Sequence, residues 1–319
     1  YKDGSYQKMY DIHTALVKLL KKGIMPMNKK NIYHCDIKDS NVLIDDSGKA
    51  RLIDWGLAVD YTPKKTVAFP RNWKNRPLQF NVPFSVIIFT DDFYTKYTDY
   101  LKKGGQIDEV ALRPFVLDYL NFWMKERGAG HYKYINEIMY LLTNNDITSI
   151  SDGSKPGLIE TEFTLPTIID YILDVLVNYT KYKSDGSLNL REYVDDVYIH
   201  IVDIWGFLTV YYPMLESLSK KYSVLSEDEM KIFAQLKFMY FEYLFNPRHE
   251  PINMTELFSD LKNLGNLIHI VIHGKSRSSS SKSALASGIR TRKKKTSSSV
   301  FKRSKFVKRF KNPYFLSLK

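Results

Sequence analysis

A single cysteine, Cys35, stands among 319 residues. No disulfide can close within the chain, and no multi-cysteine metal centre can be built. A reducing intracellular compartment, cytoplasm or nucleus, is the expectation. Long apolar runs are missing as well. No stretch approaches the roughly eighteen residues of a membrane span, and the opening residues do not have the layout of a secretory signal. Acidic side chains are absent from one part of the chain. Residues 275–319 hold fifteen of the 47 Lys and Arg and no Asp or Glu, so 32 basic side chains face 35 acidic ones in the rest. The net charge of +12 therefore belongs to a tail. With 44% hydrophobic residues overall, the remainder is long enough to bury a large core.

Apolar residues Met9, Ile12, Leu16, Leu19 and Leu20 recur at helical spacing, and Gly23 and Pro26 are expected to end that helix. Asn31 to Asn41 reads as a polar loop. Val42–Ile44 and Arg51–Ile53 are strand candidates, joined by the turn signal Asp45-Asp46-Ser47-Gly48. Four prolines make residues 61–90 irregular. Helical patterning then predicts helices over about 107–126, 131–143, 165–182, 193–219, 227–244 and 253–265, with loops such as Asn144–Gly157 between them.

Chemistry concentrates in His34-Cys35-Asp36-Ile37-Lys38-Asp39-Ser40-Asn41, followed by Asp54-Trp55-Gly56. A carboxylate able to take a proton, a nearby cation and further oxygen ligands are what phosphoryl transfer asks of a protein. A loop followed by a hairpin returns the chain, so the group after the second strand faces the group before the first.

The pattern HxDxKxxN with DxG resembles the catalytic loop and metal-binding motif of eukaryotic-type protein kinases. The string Leu52-Ile53-Asp54-Trp55-Gly56-Leu57-Ala58 is similar to that of casein kinase II, which also carries Trp in this position. The resemblance implies Asp36 as catalytic base and Lys38 on the transferred phosphate of ATP, with a preference for Ser/Thr. It implies Asn41 and Asp54 on Mg2+, Gly56 permitting the turn after Asp54, and His34 packing under the metal motif. Asp203-Ile204-Trp205-Gly206 resembles the kinase helix whose Asp braces the catalytic loop. Asn246-Pro247-Arg248 resembles the closing element, whose Arg supports the activation segment.

The fold class implied is mainly α (α+β): a kinase-like C-terminal lobe over residues 1–274, with a small catalytic hairpin and a helical insertion near 91–195. The tail, 275–319, with two serine runs and interleaved Phe301, Phe306, Phe310 and Phe315, is expected to be disordered. Three readings of it stay open: a solvated tail, a binder of nucleic acid or an anionic surface, and a localisation signal.

Several features depart from the family. Cys35 replaces the Arg that pairs with an activation-loop phosphate, so switching through that position is not expected. No Ala-Pro-Glu element follows; Arg76–Phe84 takes its place. The long spacing to Asp203 suits a divergent kinase, of the kind that large DNA viruses carry. The 33 residues before His34 read as one helix, with no Gly-rich loop or strand Lys, so the chain reads as a fragment that by itself would bind ATP poorly and catalyse little. Two other functions compete. A small-molecule phosphotransferase of the aminoglycoside or choline kinase type shares HxDxxxxN, but Lys38 and Gly56 argue against it. A pseudokinase or scaffold is disfavoured because Asp36, Asn41 and Asp54 are all present. Protein substrates are the partners expected; the oligomeric state is open.

Overall fold

The structure, a computed structural model, describes residues 5–66, 68–148, 150–181 and 186–278. The basic tail therefore lies almost wholly outside the described residues. The described residues are mostly helical, with two small two-stranded sheets among them. Helix α1 (Tyr6–Leu19) opens it, capped by the Ser5 side chain. It does not end at Gly23. The backbone runs through a π-turn (Leu20–Ile24) into α2 (Met25–Lys29). Pro26 is tolerated because it falls at the start of that new segment, where its missing N–H costs no helical hydrogen bond.

Strand β1 (Ile32–Tyr33) pairs antiparallel with β4 (Val59–Asp60), and β2 (Val42–Ile44) pairs with β3 (Ala50–Leu52). The β2–β3 turn is closed by Gly48 N–H donating to Asp45 O at 2.8 Å, with Gly48 at φ 73°. The β1–β4 pair was not legible, because two-residue strands show no alternation. The described residues of 61–90 form short 3-10 turns at Arg71–Trp73 and Phe84–Ile88.

Residues 91–195 are filled by α3 (Asp91–Lys102), α4 (Glu109–Arg127), α5 (Tyr132–Thr143), α6 (Lys155–Ile159), α7 (Leu165–Tyr179) and α8 (Leu190–Tyr193). Thr90 and Asp108 cap α3 and α4 by accepting from backbone N–H groups of the first turn. Helical backbone continues from α6 through Thr164 into α7, so helix starts earlier than the periodicity indicated.

Helix α9 (Ile199–Thr209) sits at the centre, and all its residues but His200 are buried. A helix apolar all round has no solvent face to offer. The predicted 193–219 helix breaks after α9, and Pro213 starts α10 (Tyr212–Ser219). Helix α11 (Glu227–Tyr240) begins with a capping box between Ser226 and Glu229. Helix α12 (Met254–Ser278) is longer than predicted and packs along α1 and α11. Among the described residues no helix is long and apolar enough to cross a membrane.

Gly206 on α9 lets this core helix touch the loop bearing Asp36. A Cβ at Gly206 would lie 2.7 Å from Ile37 O, 2.9 Å from Ile37 Cβ and 3.2 Å from Asn81 O. Gly206→Ala would gain about 0.5–1 kcal/mol of helix propensity. Overpacking against backbone costs about 1–3 kcal/mol, so net destabilisation is expected. Urea unfolding checks it; a variant as stable as wild type would contradict this close approach.

Candidate active site

β1 delivers the chain to His34, and α9 fixes the loop that begins there. The Asp203 carboxylate, 1% exposed, accepts from His34 N–H at 2.9 Å, Cys35 N–H at 2.8 Å and Asn28 Nδ2 at 2.7 Å. Burial lifts the Asp203 pKa above the usual carboxylate range, and these donors pull against that lift. Between the clamped amides, Cys35 takes φ 59°, a conformation that a residue with a Cβ holds only when its surroundings impose it.

His34 ties the loop to the second motif. Its Nδ1 accepts from Asp36 N–H at 3.3 Å. The proton therefore sits on Nε2, which donates to Ile53 O at 3.0 Å. Its ring lies against Trp55, centroids 4.8 Å apart.

Asp36 is buried among donors. Lys38 Nζ reaches Oδ2 at 2.9 Å, Asn41 Nδ2 reaches Oδ2 at 3.0 Å, and Asn81 Nδ2 reaches Oδ1 at 2.8 Å. The Arg76 guanidinium lies 3.6 Å from Oδ1. Burial opposes ionisation of Asp36, but the hydrogen bonds from Lys38 and Asn81 and the charges of Lys38 and Arg76 outweigh it. The pKa is lowered. Asp36 is thus an ionised, oriented acceptor, and Lys38 beside it is still 37% exposed.

Asn41 gives Nδ2 to Asp36 O at 2.8 Å as well, which leaves its amide oxygen for another partner. The hairpin closes on it, because Ile53 N–H donates to Asn41 O at 3.0 Å. Asn41 and Asp54 therefore flank the two ends of one hairpin. Asp54 is exposed and takes φ 60° itself. The left-handed backbone thus falls on Asp54, and Gly56 lies within the turn that follows it. Gly56 sits in a 3-10 turn, and a Cβ there would lie 3.5 Å from Asp54 Oδ1. An amide oxygen and a carboxylate are the hard donors Mg2+ takes, usually one or two from protein with water and phosphate completing the shell. The residues fit that ion. Among the described residues, no cluster of three or more His, Cys, Asp or Glu offers a different metal site.

Side chains from elsewhere in the chain hold the segment after β4. Asp195 accepts from Tyr61 Oη at 2.6 Å, Lys64 N–H at 3.1 Å and Arg191 Nε at 2.8 Å. Trp73 Nε1 donates to Cys35 Sγ at 3.3 Å, and Arg76 Nη1 donates to Cys35 O at 2.7 Å. Burial pushes the Cys35 thiol well above its ordinary pKa, so it stays protonated.

Arg248 does not reach this segment. Its Nη2 donates to Glu242 O at 2.8 Å, six residues back. That carbonyl belongs to a helix end, where backbone acceptors need donors. Sequence reasoning missed Asn81, Arg76 and Asp195. Asn81 and Arg76 sit in a stretch with no local pattern, Asp195 sits in a helical stretch whose spacing does not name its partners, and each gains its meaning from a contact more than forty residues away.

Comparison with known proteins points one way. Residues 5–75 match the protein kinase domain family. A probable serine/threonine-protein kinase, mkcD, of Dictyostelium discoideum is 42% identical over 43 residues, 14% of this chain and 7% of that protein. A protein kinase and PP2C-like domain-containing protein of Arabidopsis thaliana is 26% identical over 197 residues, 58% of this chain and 28% of that protein. The chain thus spans well under a third of the length of these relatives. No solved structure matches. The stretch carrying Asp36, Lys38, Asn41 and Asp54 matches the protein kinase domain, and the mostly helical fold with few strands is consistent with a kinase-like C-terminal lobe.

Proposed function

We propose that this lobe serves a protein kinase that moves the γ-phosphoryl group of ATP to Ser or Thr hydroxyls of proteins. The carrying observation is Asp36: an ionised carboxylate held by Lys38, Asn41 and Asn81 on a loop pinned by Asp203. In this reading the substrate oxygen attacks the γ-phosphorus and the bond to the β,γ-bridging oxygen breaks. The hydroxyl proton passes to Asp36, and ADP leaves with the electron pair. Lys38 offsets charge on the moving group. Asn41 and Asp54 would hold Mg2+, which when bound neutralises phosphate charge. The packing of Asp195, Trp73 and Arg76 supports activity that needs no phosphate on the segment after β4.

The test uses the full-length protein that contains this chain, pretreated with phosphatase, with Mg2+ and labelled ATP. Acceptors are a mixture of serine-, threonine- and tyrosine-containing proteins and small alcohols. Label is expected as phosphoserine and phosphothreonine, at a rate unchanged by the phosphatase. Label on the small alcohols instead would move the reading to a small-molecule phosphotransferase. No transfer at all would overturn it.

A further inference from the structure

Beside Asp36, one contact comes from a distant part of the chain. The turn between α4 and α5 reaches residues 78–81 with Gly130 at φ 54° and His131 at the start of α5. A Cβ on Gly130 would lie 2.3 Å from Leu78 O, so only glycine permits this approach. His131 N–H then donates to Leu78 O at 2.8 Å, and His131 Nδ1 accepts from Phe80 N–H at 3.2 Å. Trp205 Nε1 holds Phe80 O at 2.7 Å, and the Tyr134 ring meets the Phe80 ring edge-on at 5.7 Å. Phe80 is therefore gripped at its amide, its carbonyl and its ring. The next residue, Asn81, is the one on Asp36 Oδ1.

We propose that His131 is a positioning residue for phosphotransfer at Asp36. As a neutral imidazole it holds the Phe80 amide and so keeps Asn81 on Asp36. The inference rests on that function and gives the helices of residues 91–195 a part in it. An amide N–H can only donate, so Nδ1 must be bare and the ring proton must sit on Nε2. A second proton would set N–H against N–H and release Phe80. The charged groups facing His131 are Lys38, Asp36 and Arg76, and the neutral Tyr134 ring meets the imidazole edge-on at 6.0 Å. Burial and the two cations outweigh the carboxylate and lower the imidazole pKa, so the clamp is intact at neutral pH and opens in acid.

The experiment compares wild type, His131→Ala, His131→Asn and Asp36→Asn in the full-length protein. Two quantities are read: hydrogen exchange of residues 78–81, and transfer rate against pH. Asn can place Oδ1 where Nδ1 stood but does not titrate. His131→Ala is expected to exchange the Phe80 amide faster and to lower the rate about ten- to a hundredfold, the range that a small misplacement of reacting groups produces. His131→Asn should restore both, and should lose the wild-type fall in rate on the acid side of neutrality. Wild-type exchange in His131→Ala would overturn the proposal. So would His131→Asn behaving like His131→Ala, or keeping the wild-type acid limb. If His131→Ala fails to fold, His131→Asn decides by the same criteria. Full activity in Asp36→Asn would sink the phosphotransfer reading instead, while the exchange result would still judge the clamp.

Discussion

Asp203→Ala is expected to destabilise the fold by about 2–6 kcal/mol. The change strands the buried N–H groups of His34 and Cys35, and each unmet donor costs about 1–3 kcal/mol. Asn28 loses its partner too. The strained backbone at Cys35 then loses its amide tie and keeps only those from Arg76 and Trp73, and relaxation there moves Asp36 directly. Removing a buried carboxylate with no cation against it returns part of the loss, which the stranded Asn28 amide offsets. Urea unfolding with an unchanged slope checks the figure. A loss below about 1 kcal/mol would mean that α9 does not pin the loop.

Asp36→Asn is expected to act on rate above all. Positioned proton transfer contributes about 10²–10⁴-fold, and an amide cannot accept the hydroxyl proton. Stability should change in a pH-dependent way. The folded pKa of Asp36 lies below its ordinary value of 3.8. The ionised form therefore contributes stability above that ordinary value, and the contribution is lost as pH falls through the folded pKa. Melting temperatures of wild type and Asp36→Asn should differ at neutral pH and converge in strong acid. An equal difference at every pH would show that the donors around Asp36 do not favour its charge.

Much of the site was legible because its geometry is local. His34 to Gly56 is one loop and one hairpin, and residue type and spacing alone set which ends meet. Asp203 was legible by its surrounding string, although the contact it makes spans 168 residues. Asn81, Arg76, Asp195 and His131 were not legible. Asn81 and Arg76 lie in an irregular stretch without periodicity, and Asp195 and His131 lie in predicted helices whose apolar spacing does not say which distant groups a polar side chain meets. Arg248 shows the converse. Its motif suggested a partner in the segment after Asp54, but an unmet carbonyl at the end of its own helix lay nearer. Helix positions followed the apolar spacing well where one face was buried. They failed at Pro26, expected to end a helix, and at Pro213, which the predicted 193–219 helix ran through; each proline begins a helical segment.

The most direct test of the central claim is a single-turnover transfer of labelled phosphoryl from ATP to a protein substrate. Full-length wild type and Asp36→Asn are run side by side at equal folded concentration. Transfer by wild type is expected, with a loss of about 10²–10⁴-fold in the variant. Equal rates would contradict it, because the carboxylate that the loop, the hairpin and α9 combine to position would then take no part in the chemistry.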